Sequence, residues 1–113
     1  MKKAMEVLAQ GDVLFVRVAK LPEKAEPAQD SGRVVVAHSE TGHHHAIDDA
    51  GVVRFEVNDP LVCYLRVDGD HAVVTHHRSF DTHAPVMLTG GGAVWEVRRQ
   101  REWTPEGWQR VAD

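Results

Sequence analysis

The chain has 113 residues, 42% hydrophobic and 27% charged, with a formal net charge of −4. That is enough apolar content for one domain with a single core. The acidic balance argues against a dedicated phosphate-binding surface, and no stretch approaches the ~18 apolar residues of a transmembrane helix.

Residues 1–10 read as a helical turn or a ragged strand. The basic start is cut by Glu6 before any apolar run long enough for a leader forms. Gly11-Asp12 is a turn signal, and Val13–Val18 is a strand rich in β-branched and aromatic residues. Residues 19–32 hold Pro22, Pro27 and several charges, the composition of a surface loop. Arg33–His38 is a second strand, its continuous apolar run implying burial on both sides. A turn at residues 39–42 delivers the chain to His43–Ile47, and a second turn follows at residues 48–51.

Val52–Val57 alternates, with Val53, Phe55 and Val57 expected inward and Arg54 and Glu56 outward. Asn58-Asp59-Pro60 ends it. In Leu61–Val67, Leu61, Cys63, Leu65 and Val67 share a face. Asp68-Gly69-Asp70 carries a hairpin signal, after which Ala72–His76 is expected to pair back. Pro85–Leu88 leads into the flexible Thr89-Gly90-Gly91-Gly92, and Ala93–Arg98 is the last long strand, with Trp95 and Val97 inward. In Glu102–Trp108, Thr104 and Pro105 suggest a capped helical turn. About seven or eight short strands at ~10-residue spacing, with no long helix, indicate an all-β sandwich or barrel. The expected architecture is one domain over residues 1–113, a small β-barrel or jelly-roll-like fold, with a C-terminal tail at 102–113.

Eight histidines are present, three of them consecutive at His43, His44 and His45. On an extended chain His43, His45 and Ile47 share one face, and the apolar Ile47 marks that face as inward. Two imidazoles ~7 Å apart along a strand can close around one ion. Tight binding needs further ligands, and the candidates are His83 with either His76 or His77, which point to opposite faces. Asp48, Asp49 and Asp81 lie nearby in sequence, as ligands or as acceptors that orient an imidazole; Asp48 and Asp81 are the chief candidates for the outer shell. Neutral imidazole suits Zn, Fe, Ni and Cu, and the expected occupant is a divalent Zn, Fe, Mn or Ni ion. The bland alternatives are a solvated histidine loop, and a metal-free cluster that acts as a pH switch or a general acid/base.

The lone Cys63 excludes an intramolecular disulfide and reads as a buried small residue. No disulfide and no leader suggest the cytoplasm.

The chain resembles a family of small uncharacterised proteins from bacteria and their phages. The likeness is carried by Gly11-Asp12-Val13, Thr41-Gly42-His43-His44-His45-Ala46, His83-Ala84-Pro85, Gln100-Arg101-Glu102-Trp103 and Arg110-Val111-Ala112-Asp113. Trp103 stands where that pattern more usually has Tyr, and the Val74–Asp81 region is longer here. The resemblance implies no activity; it implies a virion-associated location if the gene is a phage's. A weaker resemblance is to cupins, metal-binding β-barrels with His-x-His, a nearby acid and a later His, matched by His43, His45, Asp48 and His83. The glycine frame before the first pair and the Pro-x-Gly turn before the last His are missing.

The leading expectation is therefore a divalent-metal-binding β protein using His43, His45, His83 and His76. No separate nucleophile or general base stands out, which favours binding over catalysis. The alternative is a metal-free structural or interaction module that forms a homo-oligomer, with Trp103 and Trp108 as an aromatic anchor. A nucleic-acid role, resting on Arg98, Arg99 and Arg101 beside Trp103, ranks third, because Arg98 and Arg99 alternate across a strand. No membrane partner is expected.

Overall fold

The structure, a computed structural model, describes residues 6–28, 34–38, 44–48, 51–77, 84–99, 101–104 and 107–110. The strands are β1 (Val7–Gln10), β2 (Val13–Val18), β3 (Glu26–Pro27), β4 (Val34–His38), β5 (His44–Ile47) and β6 (Val52–Glu56). They continue as β7 (Val62–Val67), β8 (His71–His77), β9 (Val86–Thr89), β10 (Ala93–Arg99), β11 (Arg101–Thr104) and β12 (Gly107–Arg110). The fold is all-β, with no helix among the described residues. A six-stranded sheet has the order β1-β2-β10-β7-β6-β3 and a four-stranded sheet the order β4-β5-β8-β9. Both are open, so the domain is a pair of sheets around one core rather than a closed barrel.

The core follows from alternation. Val13 and Phe15 of β2, Leu65 and Val67 of β7, and Trp95 and Val97 of β10 are buried from the large sheet. Val34, Ile47, Ala72, Val74 and Leu88 come from the small one. The Trp95 indole N–H donates to the Thr89 carbonyl at 3.0 Å, so the largest core side chain leaves no polar atom unsatisfied. At ~25 cal/mol per Å² of apolar surface removed from water, this core is the main favourable term in folding.

Three expectations are corrected. Asp68-Gly69-Asp70 does reverse the chain, but β7 pairs with β6 and β10 while β8 pairs with β5 and β9. The turn is a corner between sheets. The glycine turn that follows β9 secures it: Gly90 N–H donates to the Asp70 carbonyl at 3.0 Å and Gly91 N–H to the Gly69 carbonyl at 2.8 Å. Turn chemistry specifies reversal and not the partner strand.

Second, the alternation in β6 holds only in part: Phe55 is buried and Glu56 exposed as expected, but the register departs from it. Arg54 lies opposite Leu65, and Glu56 opposite Cys63. Directly opposed residues project to the same side of an antiparallel pair, so Arg54 and Glu56 share the side of Leu65 and Cys63, where Arg54 is half-buried and Glu56 reaches solvent. Phe55 lies opposite Tyr64 on the outer side. It is nonetheless buried, with the Arg66 guanidinium 5.4 Å from its ring and β3 paired alongside at Pro27↔Phe55. The 19–32 excursion thus supplies an edge strand as well as a loop.

Third, the tail forms no helical turn across its described part. β11 and β12 form a separate hairpin with Trp103 opposite Trp108. Gly107 interrupts a helix just after the cap signal, and Trp and Thr favour extended backbone.

Candidate functional site: a buried polar cluster

Five polar side chains are buried together at one end of the inter-sheet layer: Gln10, Asp12, His45, His76 and Arg99. Each is there for a local reason. Gln10 ends β1 and Val13 begins β2, paired across a two-residue turn in which Gly11 has φ 60°. A positive φ at the first central position is the type II′ requirement that glycine meets. This turn sets Gln10 and Asp12 on either side of Gly11, both at the mouth of the core. His45 sits on the Ile47 face of β5, opposite His76 of β8. Arg99 continues the inward face of β10 after Ala93, Trp95 and Val97, opposite Val13.

The hydrogen bonds of Gln10 determine how His45 is protonated. Gln10 Nε2 donates to the Val74 carbonyl at 2.9 Å and to the Ala84 carbonyl at 3.0 Å. Carbonyl oxygens only accept, so the amide orientation is settled by its partners. Its Oε1 then faces His45 Nδ1 at 2.8 Å, and Nδ1 must carry the hydrogen. Nε2 is left as the variable position: a lone pair in the neutral ring, a proton in the imidazolium, or a metal bond. It points toward Asp12 Oδ1 at 3.7 Å, too long for a hydrogen bond. The other oxygen, Asp12 Oδ2, lies 3.4 Å from Arg99 Nη2.

The His76 ring stacks on His45, with centroids 3.9 Å apart and planes 7° from parallel. An ion bound by an imidazole lies near that ring's plane along the nitrogen lone pair. Two stacked parallel rings cannot both meet that condition for one ion. His76 therefore supports His45 by packing in this geometry.

The sequence-predicted residues divide as follows. His45 and His76 are brought together in the interior. Asp48 is exposed just beyond β5, and His71 is exposed at the start of β8. His43, Asp49, Asp81 and His83 lie outside the described residues, and His77 is described only as part of strand β8. Among the described residues, no group of three or more His, Cys, Asp or Glu side chains is placed to hold a metal ion. Sequence reasoning missed Gln10, Asp12 and Arg99 as site residues. A signal existed for two of them: Gly11-Asp12 was a turn preceding a strand, and Arg99 was in phase with Trp95 and Val97.

No curated protein and no solved structure matches the chain. A family model described as a domain of unknown function, DUF8820, matches residues 9–100. The chain belongs to this family, and the matched span contains all five residues of the buried cluster. Among the described residues, no helix is long and apolar enough to cross a membrane.

Proposed function

We propose that this member of a family of unknown function binds a divalent metal ion, with His45 Nε2 and Asp12 as two of the ligands. The observation that carries this reading is the Gln10 hydrogen bond to His45 Nδ1. Metal-bound histidines characteristically donate their other ring N–H to an oxygen that fixes tautomer and orientation, and Gln10 occupies that position. The separation of 3.7 Å between His45 Nε2 and Asp12 Oδ1 is one that an ion ~2.0–2.2 Å from each can bridge. Arg99 on the second carboxylate oxygen orients Asp12 from behind.

His43 and His83 are the proposed remaining ligands. His43 lies two residues before His45 in the chain. His83 immediately precedes Ala84, whose carbonyl is tied to Gln10 and through it to His45. His76 is left out because of its stacking. The donor set of imidazoles and one carboxylate suits Zn, Fe, Mn or Ni.

The test is elemental analysis of untagged protein purified without a nickel column, followed by thermal shift with each ion. Stoichiometric metal that falls several-fold in Asp12→Asn and His45→Ala, both folded by circular dichroism, is the expected result. Metal-free protein with no shift for any of the four ions overturns the proposal.

A second reading, a metal-free structural module, is favoured by one observation. Asp12 already faces a buried cationic partner in Arg99, at 3.4 Å. The same metal assay separates the two readings, and a micromolar oligomer measured by light scattering supports the second.

A further inference from the structure

The C-terminal hairpin stands apart from both large sheets. Among the described strands, β11 and β12 pair only with each other. A two-stranded hairpin is marginally stable in water by itself and needs a surface to pack on. Its register shows which face would pack. Trp103 lies opposite Trp108, and Arg101 opposite Arg110. Opposed residues share a face, as do residues two apart along a strand. Two tryptophans and two arginines therefore fall on one face of the ribbon, and Glu102, Thr104, Gly107 and Gln109 on the other.

The outer side of its own sheet is out of the ribbon's reach. Only Gln100 separates β10 from β11. The two steps from Arg99 to Arg101 span at most ~7 Å, whereas a layer packed face to face on a sheet lies ~10 Å away. The chain cannot climb that distance and reverse in so short a length.

The same outer side offers a receptive surface. A groove of about 570 Å³ opens there, with Val57, Val62 and Tyr64 in its apolar lining beside Pro22. Its charged residues are Glu23, Lys24, Asp59 and Arg98. Arg98 is engaged: its Nε donates to Glu96 at 2.9 Å, and the Tyr64 hydroxyl donates to the same carboxylate at 2.9 Å. With that ion pair neutral, Glu23 and Asp59 outnumber Lys24. The groove therefore favours an occupant that is apolar and cationic, which is the character of the ribbon's Arg–Trp face.

Closure points to a second copy as the source of that face. Arg98 at the groove is three residues from Arg101, where the ribbon begins. Donor and acceptor surfaces are thus neighbours, as an isologous two-fold interface requires. Two tryptophans bring ~300–500 Å² to each ribbon, matched by a similar area in the groove. Two reciprocal ribbons give ~1,200–2,000 Å² in total, the size of a stable interface.

We propose that two copies of the chain dimerise by exchanging their C-terminal hairpins, each laying its Trp103–Trp108 face in the other's groove beside Tyr64. This supplies the structural-module reading with its partner. Neither His45 nor Asp12 takes part, so the metal assay and this one fail independently.

The experiment is sedimentation equilibrium of the full chain in dilution from ~50 µM, well above a micromolar dissociation constant. The wild type is expected to be a dimer. Trp103→Ser with Trp108→Ser removes the ribbon's anchor. Glu23→Lys with Asn58→Lys makes the groove repel the arginines, at two exposed positions. Each double variant, folded by circular dichroism, should raise the dissociation constant at least ~tenfold. Glu23→Lys alone serves if the groove pair unfolds. A mixture of the two double variants should form a heterodimer tighter than either variant alone, because one intact ribbon then meets one intact groove. A wild type that sediments as a monomer at ~50 µM overturns the proposal. So does a dimer that either double variant leaves unchanged, which places the interface elsewhere. A mixture no tighter than its components also overturns it, since ribbon and groove then do not meet.

Discussion

Replacing Gln10 by leucine removes three hydrogen bonds at once, two buried and one partly buried: those donated to the Val74 and Ala84 carbonyls and one accepted from His45 Nδ1. Leucine is similar in size, so little cavity is created. Three bonds at about 1 kcal/mol each give ~3 kcal/mol, and stranding the buried imidazole N–H adds ~1–2 kcal/mol. The expected loss is therefore ~4–5 kcal/mol, a large share of the ~5–15 kcal/mol typical of a domain. Urea denaturation at pH 7 measures it from the midpoint at constant m-value. The companion Gln10→Glu retains an acceptor for His45 but, when ionised, loses both donations to carbonyls, and should fall between wild type and leucine. A loss below ~1 kcal/mol for Gln10→Leu, within the range of an ordinary surface change, would refute the idea that this amide stitches the edge of the large sheet to the small one.

Further expectations follow from other contacts. Asp12→Leu removes the acidic side of a buried ion pair with Arg99 at 3.4 Å and should cost ~3 kcal/mol in the same denaturation assay. A Cβ at Gly90 would collide with the backbone of Gly69 and Asp70. Gly90→Ala should therefore lower the thermal midpoint by several degrees, ~1–3 kcal/mol for an overpacked site, whereas Gly91, with open space around it, should be affected only through its φ of 73°. Partial burial raises the carboxyl of Glu96, but hydrogen bonds from Arg98 and Tyr64 outweigh it and hold the group below its usual range. A depressed folded value gives stability that is present above the unfolded carboxylate value of ~4.3 and lost as pH falls through the folded value. Glu96→Gln should therefore lower stability near pH 7 and flatten the acid limb of a stability–pH curve, converging on wild type as pH falls through the folded value.

Strand positions were legible where β-branched and apolar residues recur without interruption. Val13–Val18 was read at its observed bounds, and Trp95 and Val97 were placed inward correctly. His45 was also read correctly as inward, because Ile47 marks its face. The β6 faces were not legible. Alternation alone assumes that charges face water, which holds for Glu56 but not for the half-buried Arg54, while Phe55 on the outer side is covered by Arg66 and β3. Nor was pairing legible, since Asp68-Gly69-Asp70 encodes a reversal whose partner depends on the opposite sheet.

The candidate site was half visible. Histidine clustering drew attention to His45 and His76, but their mutual stacking depends on the β5–β8 register, which no local pattern reveals. Asp12 was overlooked because nearness in sequence favoured Asp48 and Asp81. The acid facing His45 comes instead from a turn 33 residues upstream by the sequence numbering. Long-range pairing brings β2 and β5 to the same end of the core, and only tertiary structure supplies that proximity.

The most direct measurement is ¹⁵N nuclear magnetic resonance of the His45 ring, without metal and during zinc titration. We expect hydrogen on Nδ1 throughout, and a shift of the Nε2 resonance that saturates at one equivalent of zinc. A neutral His45 ring protonated on Nε2 in the metal-free protein, or an Nε2 resonance that zinc leaves unmoved, would contradict the assignment of this nitrogen as a metal ligand.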